Sequence, residues 1–186
     1  MEFAQIRELA ENGDADAQYE LGRMYFFGWN VSKDEAEAEK WYHLAFEQYL
    51  HSAENGEPYA MYKVGSMYKC GEGVPKNDDE AEKWYLMAFE QYLADAEKGD
   101  PDAQFHVGWM YRCGIGVDEN YPQAVEWHAK AAEQGYVTAQ VQLGNMYYDG
   151  EGVEQNIPEA AKWYRMAAQQ GSTYAQNKLK LLGEVW

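Results

Sequence analysis

The chain contains an internal repeat, and this repeat constrains the fold more than any other feature of the sequence. The hexapeptide AFEQYL occurs at residues 45–50 and again at 88–93. Self-similarity at a period of about 20 to 50 residues is typical of repeat architectures. Four tryptophans mark the copies at intervals of 43, 43 and 36 residues, namely Trp41, Trp84, Trp127 and Trp163. The 186 residues therefore consist of four copies of one unit, with a short segment at each end.

Each copy begins with a segment that has the apolar spacing of an α-helix, which we term helix A. In the first copy Ala17, Leu21 and Met24 recur at i, i+4 and i+7, which places them on one helix face. A second segment with helical spacing follows in each copy, and we term it helix B. The sequence therefore predicts a helix-turn-helix unit.

Glycine turns separate helix A from helix B. The last three copies read KCGEGV, RCGIGV and DGEGV, and glycine adopts positive φ in such turns without steric cost. The first copy reads FFGWNV, so Asn30 replaces the second glycine, and asparagine tolerates the left-handed region well. Residues suited to cap helix B occupy the next aligned position. They are Asp34, Asn77, Asn120 and Asn156.

Helix B is predicted to be seven residues longer in the first two copies than in the last two. The segments YLHSAEN and YLADAEK precede the closing glycine in those two copies. Seven residues make about two helical turns, so the apolar stripe continues through the insert. In the first copy this stripe is Ala38, Trp41, Tyr42, Ala45, Phe46, Tyr49 and Ala53. The insert is also expected to form a ridge, a second candidate contact surface, with Tyr49, Leu50, Tyr92 and Leu93.

The order A-x-x-x-L-G-x-M-Y, G-x-G-V, A-x-x-W-Y-x-x-A-A and a closing glycine resembles the SEL-one-like repeat (SLR) family, a relative of the tetratricopeptide repeats. The resemblance implies an all-α fold, a right-handed α/α solenoid of four helix-turn-helix repeats with partial repeats at both ends. It also implies an adaptor or scaffold that binds other proteins. We expect residues 1–186 to form a single solenoid with repeats at about 14–56, 57–99, 100–135 and 136–171 and partial caps at 1–13 and 172–186.

The formal net charge of −17 argues against nucleic acid and anionic membranes as ligands, because phosphate binding needs clustered lysine and arginine. Residues 1–56 carry 12 acidic and 4 basic side chains, so the acidity is greatest towards the N-terminal end. This distribution fits either a solubilising surface or a basic partner.

A cytoplasmic protein is the expectation from the apolar pattern and the cysteine content. The sequence has no run of about 18 apolar residues and no basic leader at its start. Its two cysteines, Cys70 and Cys113, fit a reducing compartment. They share one aligned position in adjacent copies, where helices about 8–10 Å apart exceed the Cα separation of about 7 Å that a disulfide tolerates. Unpaired thiols are expected.

No catalytic residue, metal ligand set or cofactor is predicted. The sequence lacks the phosphate-binding glycine motifs and the GxSxG and HExxH motifs. His106 and Cys113 come closest to a pair of neighbouring metal ligands in the sequence, and two ligands alone make a poor metal site. Core packing is the simpler role for most aligned aromatic residues.

The positions of helix A that vary between copies are the candidate binding residues, because they lie opposite the core stripe and are expected to line a concave face. They are rich in the residue types that dominate binding hot spots. The predicted partner-binding row is Tyr19, Arg23, Phe26, Tyr62, Ser66, Lys69, Phe105, Trp109, Arg112, Asn145 and Tyr148. Phe27 and Trp29 form an additional aromatic cluster that fits either a contact surface or the packing of an irregular first repeat.

These features favour a non-catalytic protein-interaction module that binds a peptide or a protein through helix A. An acidic immunity or inhibitor protein that neutralises a basic effector is the alternative within this class. An enzyme and a purely structural spacer are the alternatives from other classes. The sequence leaves the oligomeric state open.

Overall fold

The computed structural model describes residues 3–184, which form ten α-helices and contain no β-strand. The helices are α1 Phe3–Glu11, α2 Ala15–Phe27, α3 Glu35–Glu54, α4 Pro58–Cys70, α5 Asp78–Glu97, α6 Pro101–Cys113, α7 Tyr121–Glu133, α8 Val137–Asp149, α9 Ile157–Gln169 and α10 Thr173–Leu181. Helices α2, α4, α6 and α8 are the four A helices, and α3, α5, α7 and α9 are the B helices. The architecture is the predicted right-handed α/α solenoid of four helix-turn-helix repeats, with α1 and α10 as partial repeats at its ends.

The chain consists of two compact units whose boundary falls within α5, between Ala88 and Phe89. In the first unit α1 packs against α2, α2 against α3 and α3 against α4. In the second unit α6 packs against α7, α7 against α8, α8 against α9 and α9 against α10. The prediction that residues 1–186 form one domain stays a prediction.

The turns after the A helices have the predicted backbone. Gly28, Gly71, Gly114 and Gly150 end these helices in the left-handed conformation. Asn30 has φ 58°, which confirms the left-handed conformation expected of it. The predicted caps are also confirmed, since each accepts a backbone N–H with its side-chain oxygen. They are Asp34, Asn77, Asn120 and Asn156.

The longer B helices are confirmed as well. Helices α3 and α5 each have 20 residues, whereas α7 and α9 each have 13. Helix α3 runs without a break through its insert, and all seven residues of its predicted apolar stripe are buried.

A glycine in each A helix allows a ring from helix B of the same repeat to pack directly on its backbone. A Cβ on Gly22 would lie 2.6 Å from the Tyr42 ring, and one on Gly144 would lie 2.7 Å from the Tyr164 ring. Real Cβ atoms essentially never approach another heavy atom this closely. The glycine therefore sets the separation of the two helices within the repeat.

Buried glutamines tie the third and fourth repeats to the helix before each of them. The Gln104 amide donates to the carbonyl oxygen of Ala96 at 3.1 Å, and the Gln140 amide donates to that of Ala132 at 3.1 Å. Gln134 and Gln170 then donate to the side-chain oxygens of Gln104 and Gln140. The Gln104 and Gln140 amides thereby add a further hydrogen bond to carbonyl groups near the ends of the B helices, which also accept the N–H groups of Gly99 and Gly135.

Candidate partner-binding surface

The surface of helix A that faces away from the core is partly exposed. In α2, Leu21 and Met24 are buried, whereas Tyr19 and Arg23 are half-buried and Phe26 is 43% exposed. The other row residues are also half-buried, except Lys69, which is exposed. The packing of one helix face on helix B thus leaves the predicted row on the opposite side.

Hydrogen bonds hold the row residues at the start of the first unit. The Tyr19 hydroxyl donates to Glu72 Oε2 at 2.8 Å, and the Tyr19 ring packs against Tyr42 with 5.5 Å between centroids. Burial and the nearby Glu72 carboxylate raise the pKa of Tyr19. Arg23 donates to Glu20 at 3.1 Å. Tyr19 is therefore a neutral, oriented ring at neutral pH.

Three tyrosine rings surround the ammonium group of Lys63. Its Nζ lies 3.8 Å from the ring centroid of Tyr19, 5.2 Å from that of Tyr49 and 5.8 Å from that of Tyr59. Burial lowers the pKa of Lys63, although the charge of Asp16 acts in the opposite direction. Cation–π attraction of this kind strengthens when the cation is partly desolvated.

Asp16 orients two of these rings. Its Oδ1 accepts hydrogen bonds from the hydroxyl of Tyr49 at 2.6 Å and from that of Tyr59 at 2.8 Å. Next to this cluster is a cleft of ≈ 470 Å³, lined among others by Tyr19, Arg23 and Lys63. Aromatic faces, carboxylates and two cations thus meet in one concave site of the first unit.

The remaining row residues of the first unit are anchored differently. The Tyr62 ring lies 5.7 Å from the Tyr85 ring, and the nearby Ser66 hydroxyl acts against the rise that burial causes in the pKa of Tyr85. Lys69 forms ion pairs with Asp78 at 3.2 Å and with Glu82 at 3.7 Å. Exposed ion pairs of this kind contribute little stability, so Lys69 remains available to exchange partners.

Phe26, Phe27 and Trp29 form an exposed aromatic cluster at the end of α2. Phe27 is 52% exposed and Trp29 is 45% exposed. The Phe27 ring stacks on Trp29 with 4.6 Å between centroids and meets Phe26 edge-on at 5.0 Å. The predicted aromatic cluster therefore exists, and its rings are solvent-accessible.

In the second unit, polar contacts orient the row. Arg112 donates to both carboxylate oxygens of Glu151, at 2.9 and 3.3 Å. Asn145 Oδ1 accepts from the hydroxyls of Tyr164 and Tyr174, at 2.7 and 3.1 Å. Such bidentate and shared hydrogen bonds fix the side chains more firmly than single contacts.

The aromatic members of the second unit's row are partly packed. Tyr148 lies below the Lys178 ammonium, with 4.9 Å from its ring centroid to Nζ. The Phe105 ring lies 5.3 Å from that of His128. Trp109 is half-buried. Phe105 therefore contributes to packing, while Arg112 and Tyr148 present charged and aromatic groups.

The predicted ridge on the longer B helices is only partly present. Tyr49 and Tyr92 are 4% and 6% exposed, which removes these two residues from an exposed ridge. Tyr49 packs against Tyr59, and Tyr92 stacks on His106 with 4.5 Å between centroids. Both rings extend the core stripe, because seven residues return the helix to nearly the same face. Leu50 and Leu93 are half-buried.

Sequence reasoning missed Asp16, Tyr59 and Lys63. These residues occupy the second and sixth positions of helix A, which lie beside the predicted row. The sixth position reads Glu20, Lys63, His106 and Gln142 in the four copies. This sixth position varies between copies as much as the row does. Variation between copies, applied to every position of helix A, therefore identifies it from the sequence.

The sequence also identifies the family to which the chain belongs. A family model of the Sel1 repeat matches residues 15–50, 58–92, 101–136 and 137–172. The chain belongs to the Sel1 repeat family. Sel1 repeat proteins are generally protein-interaction modules, and their fold is typically a non-catalytic scaffold.

The chain is similar to several solved structures. A protective antigen of uropathogenic Escherichia coli with an SLR fold is 28% identical, with a TM-score of 0.50, over 96% of this chain and 51% of its own. A Sel1 repeat protein from Oxalobacter formigenes is 34% identical, with a TM-score of 0.48, over 95% of this chain and 48% of its own. An immunity protein from Pseudomonas aeruginosa is 23% identical, with a TM-score of 0.49, over 91% of this chain and 58% of its own.

The chain spans about half the length of the first two of these solved proteins. A search of curated proteins finds no match. Among residues 3–184, no three histidine, cysteine, aspartate or glutamate side chains group in a way that would hold a metal ion. The same part of the chain has no helix with the length and apolar character that crossing a membrane requires. Cys70 and Cys113 are free, as predicted, and both are exposed.

The third Sel1 repeat places a histidine ring in its core. His128 occupies the position of Tyr42, Tyr85 and Tyr164 in the other repeats, and it is 1% exposed. Burial lowers the pKa of His128 to about 4, with a smaller contribution from Arg112. Because the unfolded chain binds the proton at a higher pH than the native state, stability decreases as the pH falls from about 6.5 to about 4.

We predict that His128→Phe removes this part of the acid sensitivity. Between pH 7 and pH 4, the free energy of unfolding of the wild type should decrease by up to about 3 kcal/mol more than that of the variant, at about 1.4 kcal/mol per pKa unit. Phenylalanine is preferred to tyrosine because Trp109 occupies the position of Asn145, the hydroxyl acceptor in the last repeat. Urea unfolding of both proteins at each pH measures the difference, and parallel pH profiles would contradict the assignment.

Proposed function

We propose that this Sel1 repeat chain is a non-catalytic interaction module that binds a peptide or protein partner through the exposed face of its A helices. The observation that carries the proposal is the cluster of Tyr19, Asp16 and Lys63 beside the cleft of the first unit. Hydrogen bonds orient its rings and charged groups before any partner arrives. Preorganised side chains lose little conformational entropy on binding, so more of the contact energy appears as affinity.

The chemistry of the row supports this proposal. Tyrosine, tryptophan and arginine dominate interface hot spots, and the row contains tyrosine and arginine in both units and tryptophan in the second. Arg112 and Tyr148 present a guanidinium and a ring in the second unit, and Tyr19 and Arg23 do so in the first. In each unit the opposite helix face packs in the core, so partner binding does not require the fold to open.

A pair of variants tests the proposal, one in each unit. Lys63→Met retains the apolar stem and removes the charge, and Trp109→Ala truncates the largest side chain of the row. Each variant should weaken the affinity for a stoichiometric partner recovered from the native host, by about 1.4 kcal/mol or more for Lys63→Met and about 2 kcal/mol for Trp109→Ala. Calorimetric titration with the purified partner measures both effects.

The control for these variants is Gln48→Ala, on the exposed side of α3 and away from the row. It should bind like the wild type, and circular dichroism should show that all three variants remain folded. Unchanged affinity of both Lys63→Met and Trp109→Ala would place the interface elsewhere. Failure to recover any stoichiometric partner would favour a structural spacer.

The charge distribution favours a second candidate, an acidic immunity or inhibitor protein that occludes a basic effector. Residues 1–56 carry a formal charge of −8 within the total of −17. Such an excess attracts a basic partner over distances comparable to the Debye length and accelerates association. The support for this candidate is the charge alone.

If this candidate is correct, the association rate with the partner falls at least about tenfold as salt rises from about 0.01 M to about 0.15 M, because the Debye length shrinks from about 30 Å to about 8 Å. Glu54→Lys should slow association further, since Glu54 lies in the acidic segment. Glu154→Lys, an equal change of net charge in the last repeat, should have a smaller effect. Stopped-flow mixing measures the rates, and a salt-independent rate would leave the acidity as a solubility feature.

A further inference from the structure

A surface at the end of α2 combines exposed aromatic rings with carboxylates, and we term it the aromatic–acidic patch. It consists of Phe26, Phe27 and Trp29 with the neighbouring Glu39 and Glu72. We propose that this patch binds a basic segment of a partner in which an apolar side chain stands next to lysine or arginine. The inference rests on the proposed function, because it specifies the chemistry of a bound partner.

The aromatic half of the patch is exposed although its rings are ordered against one another. Phe26, Phe27 and Trp29 are 43%, 52% and 45% exposed. The aligned turns of the other repeats read KCGEG, RCGIG and YDGEG, so no other repeat places three aromatic side chains there. Contiguous exposed apolar surface of this kind commonly marks an interaction site.

The acidic half of the patch lines a cleft of ≈ 260 Å³ that adjoins Phe26. All three charged residues that line this cleft are glutamates, namely Glu35, Glu39 and Glu72. Lys33 neutralises Glu35 at 2.7 Å, and Glu72 accepts the Tyr19 hydroxyl. Among residues 3–184, Glu39 has no ion-pair partner. The cleft is therefore complementary to a cationic side chain.

Two rings of the patch already contact cationic side chains of the same chain. The Arg23 guanidinium carbon lies 5.3 Å from the Trp29 ring centroid, and the Lys33 Nζ lies 5.6 Å from that of Phe26. These distances are typical of cation–π contacts. An incoming guanidinium can stack on Phe27, the most exposed of the three rings, while an apolar neighbour packs beside it.

The charge of the patch favours a basic and apolar segment over nucleic acid, anionic lipid or a second copy of the chain. Nucleic acid and anionic lipid would bring phosphates towards Glu39 and Glu72, and the net charge of −17 opposes their approach. A second copy of the chain would place two acidic clefts against each other. A basic and apolar segment satisfies both halves of the patch.

The probe for this inference is a random peptide library displayed on phage and selected on the immobilised wild-type chain. Enriched peptides should combine an apolar residue with neighbouring lysine or arginine. For the best peptide, Phe27→Ser/Trp29→Ser and Glu39→Lys should each raise the Kd at least about tenfold. Glu154→Lys makes the same charge change in the other unit and should change the Kd less than about twofold.

The two free cysteines provide a second readout on the wild-type protein. Cys70 lines the cleft, whereas Cys113 occupies the aligned position in the next repeat, and both thiols are exposed. The bound peptide should slow alkylation of Cys70 at least about fivefold and leave Cys113 unchanged, because steric cover acts only on the occupied site. This measurement does not depend on whether a variant folds.

The inference would be overturned if the enriched peptides were acidic, if no peptide were enriched, or if the enriched peptides protected neither thiol from alkylation. Enriched peptides whose Kd responds to Lys63→Met and not to the patch variants would overturn it while supporting the proposed function. A dimer that sedimentation detects in the wild type and not in Phe27→Ser/Trp29→Ser would assign the patch to self-association instead.

Discussion

The contact between a glycine of helix A and a ring of helix B is the constraint on which each repeat depends. It recurs as Gly22 with Tyr42, Gly65 with Tyr85, Gly108 with His128 and Gly144 with Tyr164, and in every case an added Cβ would lie 2.6 to 2.8 Å from a ring atom. The glycine also lowers the intrinsic stability of its helix by about 1 kcal/mol relative to alanine. Its presence in all four A helices is explained by the close approach.

This contact has a direct consequence for function. Because the glycine and one ring fix the separation of the helix pair, the side chains on the face of helix A opposite the core are not required to set that separation. The side chains on that face vary between repeats, from Arg23 to Ser66, Trp109 and Asn145. Repeats with a constant core thus present different chemistry at equivalent points, which suits the recognition of an irregular partner surface.

The sequence predicts most of the fold because its signals are local. The caps, the left-handed Asn30 and the longer α3 each follow from residues within a few positions of one another. The contacts of Lys63 with three rings could not be predicted in the same way, because these rings come from α2, α3 and α4. The burial of Tyr49 agrees with its place in the predicted core stripe. The burial of Tyr49 and Tyr92 conflicts with their assignment to an exposed ridge.

The candidate site was therefore predicted in part. The row was located by its variation, and the structure adds the hydrogen bonds that hold it, such as those of Tyr19 and Arg112. Side-chain networks between helices depend on distances that periodicity does not specify. The acidic cleft beside Phe26 belongs to this class, because its glutamates come from α3 and from the turn after α4.

The most direct test of the central claim is a double-mutant cycle of Gly108→Ala and His128→Ala by urea unfolding. All three atoms nearest to a Cβ on Gly108 belong to the His128 ring, at 2.8 to 3.0 Å. Gly108→Ala should destabilise the wild type by about 2 kcal/mol and stabilise the His128→Ala protein by up to about 1 kcal/mol, because alanine favours the helix once the ring is absent. Equal effects of Gly108→Ala in both backgrounds would contradict the claim that the ring requires the glycine.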